Sequence, residues 1–265
     1  MSDHIQVEQL GAIQLIRMNR PEKKNALTTD MYLRMAGAIN SAQSNPKFRV
    51  SIITGAGDCF TAGNDLADFN LGPKSEAGDA AGKQDNFIPP FQQFVRALLA
   101  ADKPVIAAVN GLAVGIGVTM LLHCDLVYAA DTARFSLPFV NLGAVPEAGS
   151  SLLMPRIMGR VRANELLLFG EPFSAEVAQQ DGLINQIFPA AELMQNVIRL
   201  AEKLAAKPPS ALRASKRLLR QHAPDLMDAL REEGKVFSTQ LRTPEAKEAL
   251  KAFTERRPAD FSSFE

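Results

Sequence analysis

Two glycine-containing turns, each directly after an apolar stretch, are the places in this 265-residue chain where backbone groups are best placed for chemistry. The first, Ala62–Gly63, follows the apolar run 48–54, and the second, at 115–117, follows the run 104–109. Glycine lets a ligand approach the main chain closely, and the first N–H groups of a helix have no partner within that helix. One N–H group from each turn could therefore converge on a carbonyl oxygen and stabilise negative charge that develops there.

Neither turn has the pattern of a nucleotide-binding loop. The second turn runs Gly115-Ile116-Gly117 and lacks the third glycine of the dinucleotide-binding fingerprint, because Met120 stands at that place. No Gly-Lys-Ser/Thr sequence follows either turn, which excludes a phosphate-binding P-loop. Taken alone, each turn is also compatible with a purely structural role.

Composition excludes several classes of protein. Basic and acidic residues number 29 each, whereas nucleic-acid-binding proteins usually carry a basic excess; the basic stretch 213–220 keeps RNA binding open as an alternative. Two cysteines, Cys59 and Cys124, and three scattered histidines do not form a disulfide framework or a metal site. The polar N-terminus lacks a signal core, and no apolar run is long enough to span a membrane. We expect a cytoplasmic protein that binds no metal, nucleic acid or membrane.

The elements that must position the two turns follow from hydrophobic periodicity. Alternation over 5–10 and 12–18 around a glycine predicts a β-hairpin, and buried strands are expected at 48–54, 104–109, 126–130, 133–137 and 183–188. Helices are predicted at about 29–44, 87–101, 150–158, 160–169, 174–182, 190–206, 209–221, 225–241 and 244–255. A helical period is also expected directly after the second turn. Residues 67–86 have no clear period and are predicted to form a mobile surface loop.

Three motifs resemble the crotonase (enoyl-CoA hydratase/isomerase) superfamily: Phe60-Thr-Ala-Gly-Asn-Asp-Leu66, Asn110-Gly-Leu-Ala-Val-Gly-Ile-Gly117 and Cys124-Asp-Leu126. The resemblance extends over roughly residues 5–255. Val114-Gly-Ile-Gly-Val-Thr-Met and Pro146-Glu-Ala-Gly-Ser-Ser are most similar to the peroxisomal-type Δ3,Δ2-enoyl-CoA isomerase branch. The resemblance implies an α/β fold, a spiral of repeated ββα units over 1–190, with a C-terminal helical trimerisation region over 191–265.

The same resemblance implies the ligand and the residues that bind it. The substrate would be an acyl-CoA thioester, with no separate cofactor, and the assembly a homotrimer or a dimer of trimers. The oxyanion donors would be the N–H groups of Ala62 and Ile116. The acyl pocket would contain Leu137, Phe139 and Leu142. The residues implied in substrate and CoA binding are Lys24, Ala26, Leu27, Ala62, Gly63, Asn64, Asp65, Leu66, Gly115 and Ile116.

The departures from the family pattern decide the expected reaction. Hydratases of the superfamily use two glutamates, and Thr119 and Phe139 stand at those positions here. Neither side chain exchanges a proton near neutral pH, so hydration by a glutamate pair is not expected. The isomerase branch has a catalytic glutamate at the position of Glu147, and one carboxylate is enough to move a proton between two carbons. The prediction is a 3-enoyl-CoA to 2-enoyl-CoA isomerase with Glu147 as its base.

The sequence is also compatible with other functions. The chain could be a hydratase that takes its acid and base from other residues, or an acyl-CoA or RNA binder without catalysis. A dehalogenase of the superfamily is discounted because the chain has no tryptophan. Two roles are possible for Lys216: it is part of a solvated basic helix face, or it contacts CoA phosphates across a subunit boundary.

Overall fold

The computed structural model describes residues 4–65, 67, 88–220 and 225–264. The predicted CoA contact Leu66 and, apart from residue 67, the predicted surface loop 67–86 lie outside the described residues. The described strands are β1 (Ile5–Leu10), β2 (Ile13–Met18), β3 (Val50–Gly55), β4 (Cys59–Thr61), β5 (Val105–Val109), β6 (Leu112–Val114), β7 (Leu126–Ala130), β8 (Arg134–Ser136), β9 (Phe173–Ser174) and β10 (Gln186–Phe188).

The strands form two sheets that the chain visits in turn. One sheet has the order β1-β2-β3-β5-β7-β10, and the other has the order β4-β6-β8-β9. Three times in succession, a strand of the larger sheet leads directly into a strand of the smaller one: β3 into β4, β5 into β6, and β7 into β8. Apart from the β1–β2 and β8–β9 pairs, the strand pairings are parallel. This alternation confirms the predicted α/β crotonase-like spiral.

The central strands are buried on both faces. Every residue of β3 and β5 is buried, which is why these strands read as continuous apolar runs and not as alternating ones. Two apolar clusters lie on the two sides of the larger sheet; one contains Phe94 and Ile53, and the other contains Val197 and Ile52. Neighbouring residues of β3 thus supply opposite clusters, as the pleat of a strand requires.

Helices cover both sheets and make up the C-terminal region. In chain order they are α1 (Thr29–Ser44), α2 (Pro90–Ala100), α3 (Ile116–Thr119), α4 (Ser150–Met158), α5 (Arg160–Phe169), α6 (Ala175–Gln180), α7 (Leu193–Ala205), α8 (Pro209–Arg220), α9 (Leu226–Gln240) and α10 (Pro244–Glu255). Thr28, Ser174 and Thr243 cap α1, α6 and α10 by accepting a backbone N–H with their hydroxyl groups. Within the described ranges, no helix combines the length and the apolar character needed to cross a bilayer.

The predicted elements are confirmed with shifts at their ends. The hairpin, the two helices 150–158 and 160–169, and the three last helices are found within about two residues of their expected bounds. The helix expected from residue 87 begins at Pro90, where the fixed φ of proline suits a first helical position. The helix expected after the second glycine turn is only one turn long, and Met120–His123 continues it as a 3₁₀ turn. The division into a core and a helical region at residue 190 stays a prediction.

Candidate active site

Parallel pairing of β4 with β6 brings the two glycine turns side by side. Thr61 pairs with Ala113, so the chain leaves both strands at the same edge of the smaller sheet. Gly63 has a φ of 92°, and a Cβ atom there would lie 2.9 Å from the carbonyl oxygen of Val114. Only glycine permits this approach, because real Cβ atoms are not found so close to a backbone oxygen. The glycine of the first turn therefore lets the two turns touch.

The structure corrects one predicted oxyanion donor. The N–H of Ala62 already donates to the carbonyl oxygen of Lys24 at 2.9 Å, so it is not available to a ligand. The loop that carries Lys24 runs along this turn: Leu27 N–H donates to Gly63 O at 2.8 Å, and Asp65 N–H donates to Leu27 O at 2.9 Å. Successive N–H groups of an extended chain point to opposite sides. Since Asp65 N–H faces the loop, Asn64 N–H faces away from it.

Two backbone donors remain at the turns. Neither the N–H of Asn64 nor that of Ile116 has an acceptor among the described residues. Ile116 is the first residue of α3, where an N–H has no partner within the helix. The preceding N–H, that of Gly115, donates to Ser136 O at 2.9 Å and is occupied. The Asn64 side chain is held separately, because its Oδ1 accepts a short hydrogen bond from the hydroxyl of Tyr32. The candidate donor pair is thus Asn64 with Ile116.

The loop predicted to contact CoA is fixed by a buried asparagine. Asn25 has a left-handed φ of 53° and is fully buried; its Nδ2 donates to Ala56 O at 2.9 Å and to Cys59 O at 2.7 Å. This arrangement leaves Lys24 exposed and Ala26 half-buried, where both can meet a ligand. Leu27 is 1% exposed and packs in the core, so its side chain is not a ligand contact.

Asp65 braces the same region. Its carboxylate accepts a hydrogen bond from the Arg20 guanidinium at 2.5 Å and one from the Ala67 N–H at 3.0 Å. Burial opposes ionisation of this carboxyl, but these two hydrogen bonds and the Arg20 charge hold its pKa below the usual value. The carboxylate is already satisfied within the chain, which is typical of a structural group.

Glu147 lies in a strained turn just before α4. The next two residues, Ala148 and Gly149, have φ values of 57° and 75°, and only the second is a glycine. The Glu147 side chain is 4% exposed, and its Oε1 has no hydrogen-bond partner among the described residues. Burial, together with the nearby negative charge of Glu233, raises the pKa of Glu147 to about 8. An unpaired carboxyl with such a pKa can take up and release a proton near neutral pH.

Two largely apolar cavities meet at Asn64. The first, of about 230 Å³, is lined by Glu147 and by side chains of α2 and α9. The second, of about 310 Å³, is lined by both glycine turns, by Phe139 and Leu142, and by side chains of α10. Asn64 and Phe237 line both cavities, so the first turn stands between the carboxyl group and the second turn.

One predicted acyl-pocket residue lies elsewhere. Leu137 is fully buried in the main core and lines neither cavity, whereas Phe139 and Leu142 line the second one. The reason is a change of backbone direction: the chain leaves its extended course at Pro138 and enters the helical turn Val140–Leu142. Leu137 and Phe139 therefore face different sides although they are two residues apart.

The positions of the hydratase glutamates carry no acid. Thr119 is fully buried, and its hydroxyl has no partner among the described residues; Phe139 is 6% exposed. The second acid of the site comes instead from α9, where Glu233 lines the same cavity as Glu147. No sequence motif singles out Glu233, since it lies 86 residues after Glu147 on a helix with ordinary amphipathic spacing.

The structure does not support a role for Lys216 in CoA binding. Its Nζ donates to Asp125 Oδ2 and to Lys103 O, both at 2.7 Å, and its side chain is 6% exposed. Arg220 adds a second ion pair to Asp125 at 3.0 Å. These contacts attach α8 to the body of the same chain and leave no free ammonium group for a phosphate.

Comparison with known proteins agrees with this geometry. A sequence profile of the family described as "Enoyl-CoA hydratase/isomerase" matches residues 8–263. Enoyl-CoA delta isomerase 2 of Rattus norvegicus is 37% identical over 261 residues, which cover 97% of this chain and 65% of the rat protein, so this chain spans about two thirds of that relative's length. The 2,3-dehydroadipyl-CoA hydratase of Escherichia coli K12 is 35% identical over 248 residues, covering 93% of this chain and 94% of that enzyme.

Solved structures agree as well. The enoyl-CoA hydratase/isomerase of Pseudoalteromonas atlantica T6c superposes with a TM-score of 0.88 at 36% sequence identity, over 98% of this chain and 100% of that one. The profile match, the spiral of strands and the paired glycine turns thus lead to the same assignment. The chain belongs to the enoyl-CoA hydratase/isomerase family of the crotonase superfamily.

Proposed function

We propose that this enzyme shifts the double bond of a 3-enoyl-CoA thioester to the 2-trans position. The observation that supports this most directly is Glu147, a buried carboxyl without a hydrogen-bond partner on Oε1 among the described residues, with a pKa raised to about 8 by burial and by Glu233. A single group of this kind can act as base and then as acid within one turnover. Hydration by the glutamate pair of the hydratases would need acids at the positions where Thr119 and Phe139 stand.

The proposed reaction moves one proton between two carbons. The Glu147 carboxylate removes a proton from C2 of the β,γ-unsaturated thioester, and the electron pair spreads over the dienolate. The thioester oxygen, which gains negative charge, accepts hydrogen bonds from the N–H groups of Asn64 and Ile116. Protonated Glu147 then returns the proton to C4, which leaves the double bond between C2 and C3 and restores the carboxylate.

The surroundings suit this chemistry. The cavities lined by Glu147 and by the two turns are largely apolar, and in such surroundings the negative charge of the dienolate interacts more strongly with the N–H donors than it would in water. We propose that the exposed Lys24 and the half-buried Ala26 contact the CoA part of the substrate. A lysine ammonium is a suitable partner for the negatively charged CoA phosphates. The similarity to the rat isomerase supports the proposal, while that to the Escherichia coli hydratase defines the competing activity. A trimer or dimer of trimers is part of the proposal.

A paired assay tests the function. Purified enzyme is given trans-3-hexenoyl-CoA and followed for formation of the conjugated thioester, and in parallel crotonyl-CoA, followed for loss of conjugation. We expect isomerisation without comparable hydration. Replacing Glu147→Gln should lower the isomerisation rate by about 10²–10⁴-fold, since it removes a general base. The matched control Glu171→Gln changes an exposed glutamate and should leave the rate unchanged.

The outcomes separate the candidate activities. Hydration of crotonyl-CoA at a rate similar to isomerisation would contradict the one-carboxylate mechanism. Isomerisation that survives Glu147→Gln would show that another group is the base. Sedimentation velocity on the same sample tests the assembly, and an active monomer would contradict the proposed trimer.

A further inference from the structure

Glu233, on the middle of α9, is bound to the turn that carries Glu147. Its Oε2 accepts the N–H of Gly149 at 2.6 Å, and its Oε1 accepts both the N–H and the hydroxyl of Ser151, at 3.0 and 2.5 Å. The residue is 8% exposed. Gly149 and Ser151 form the N-terminal end of α4, so Glu233 provides the acceptor that this helix end lacks in its own sequence.

The two carboxyl groups that line one cavity differ in their hydrogen bonding. Burial raises the pKa of Glu233, but both of its oxygens accept hydrogen bonds from the α4 end, and these donors act in the opposite direction by favouring the carboxylate. The Oε1 of Glu147 has no partner among the described residues. Glu233 is thus held in place as an acceptor, while Glu147 keeps an oxygen free for a substrate proton.

The turn between them needs support from outside. Ala148 adopts a left-handed φ of 57°, which costs a residue with a Cβ atom about 1–2 kcal/mol. A Cβ atom at Gly149 would lie 2.4 Å from Leu226 Cδ1, so α9 packs directly against the turn. A strained turn keeps its shape only when surrounding contacts hold it, and two hydrogen-bonded oxygens from α9 supply such contacts.

We propose that Glu233 is a positioning residue: it fixes the turn that carries Glu147, and its negative charge disfavours a second negative charge on Glu147. This inference rests on the proposed function, in which Glu147 must both take and return a proton. The raised pKa of Glu147, to about 8, has burial as its first cause and the Glu233 charge as its second. Without that charge, Glu147 would remain ionised to a lower pH and would be a weaker base.

Other titratable or charged groups lie around the turn. His123, from the 3₁₀ turn after α3, donates to Ala148 O; burial lowers its pKa to about 4, so it is neutral at physiological pH. Arg96 on α2 and Arg231 on α9 line the cavity as permanent cations, and Arg231 pairs with an aspartate of its own helix. Among the described residues that line this cavity, Glu233 is the acid other than Glu147, so its replacement removes one negative charge from the cavity.

The test compares three variants by the pH dependence of isomerisation. In Glu233→Gln the apparent pKa of the rising limb of kcat/KM should fall by about one unit, because a nearby negative charge is lost. Ser151→Ala removes the hydroxyl hydrogen bond to Glu233 but keeps the Glu233 charge. We therefore expect kcat to fall several-fold while the apparent pKa of the rising limb stays unchanged. Glu232→Gln is the matched control, since this neighbouring glutamate is 69% exposed and should change neither quantity.

A second readout does not depend on activity. The Glu147 carboxyl is titrated by ¹³C NMR of glutamate-labelled protein and assigned with Glu147→Gln, before and after Glu233→Gln. A downward shift of its midpoint supports the inference even if the wild type fails to isomerise 3-enoyl-CoA, which would overturn only the proposed function. An unmoved midpoint, or Ser151→Ala with wild-type kcat, would overturn the inference. If Glu233→Gln does not fold, the Ser151→Ala result decides the positioning role.

Discussion

The Nε2 atom of His123 lies 2.7 Å from the carbonyl oxygen of Ala148, the residue that follows Glu147. His123 is fully buried, and burial lowers its pKa to about 4, so the neutral ring donates its N–H to this oxygen. The imidazole is therefore a structural donor to the Glu147 turn and not a second base. The next residue, Gly149, is held by a different element: its N–H donates to the Glu233 carboxylate on α9.

This histidine should make the protein sensitive to acid. Between about pH 6.5 and pH 4 the unfolded chain binds a proton on His123 that the folded chain does not bind, so stability falls as the pH is lowered. The loss from this group should approach about 3 kcal/mol. We expect His123→Gln, which keeps a donor but does not titrate, to reduce the loss measured by urea unfolding at pH 7 and pH 4.5. An equal loss in the variant would contradict the assignment.

The raised pKa of Glu147 predicts a rate that increases with pH. The base must be ionised in the free enzyme, so kcat/KM for isomerisation should rise about tenfold per pH unit and level off above pH 8. The effect on stability has the opposite sign: between about pH 4.5 and pH 8 the folded chain binds a proton that the unfolded chain has lost, so stability falls as the pH rises. Glu147→Gln should reduce that decrease, and the burial-raised pKa of Glu233 accounts for part of what remains. A rate that is flat from pH 6 to pH 9 would exclude Glu147 as the base.

The Asp125 cluster should govern attachment of α8. Asp125 accepts bonds from Lys216, Arg220 and the backbone N–H of Val105. Asp125→Asn leaves the buried Lys216 ammonium without its counter-ion and should lower the free energy of unfolding by about 3 kcal/mol. Asp102→Asn is the matched control: Asp102 pairs with Arg217 of the same helix at the surface, and its loss should cost less than about 1 kcal/mol. An equal loss of unfolding free energy in the two variants would mean that the buried ion pair stabilises the protein no more than the surface pair does.

Gly115 should be required for the geometry of the second turn. Its φ of 55° and ψ of −114° are a backbone conformation that only glycine adopts readily, and it directly precedes the proposed donor Ile116. Among the described residues, a Cβ atom would meet only Phe139 Cε1, at 3.8 Å, so Gly115→Ala acts through the backbone and not through a clash. We expect kcat/KM to fall at least tenfold and stability to drop by about 1–3 kcal/mol.

The control for this variant is a glycine without such a constraint. Gly37 lies on the exposed face of α1, and a Cβ atom there would meet no atom of the described part of the chain within 4 Å. Gly37→Ala should therefore stabilise the protein by about 0.5–1 kcal/mol without changing the rate. A Gly115→Ala enzyme that behaves like Gly37→Ala would show that the second turn tolerates a different backbone conformation.

Local pattern determined most of the fold and the types of residue at the site. Continuous apolar runs identified the buried parallel strands β3 and β5, and capping residues such as Thr28 marked helix starts. The absence of acids at Thr119 and Phe139, and the presence of Glu147 in a turn, were visible in the sequence. These features are local, because periodicity and turn chemistry depend on neighbours within a few residues.

Only the tertiary structure decided which groups are free and which are occupied. The Ala62 N–H donates to Lys24 O, and the Lys216 ammonium pairs with Asp125, so neither group is free for a ligand. Glu233 accepts a hydrogen bond from the turn after Glu147, although it lies on a helix more than 80 residues later in the chain. A sequence pattern reports that a residue is buried but not which distant atom meets its polar group. Hydrogen-bond partners are set by the packing of whole elements, so the assignment of donor, base and positioning residue had to come from the fold.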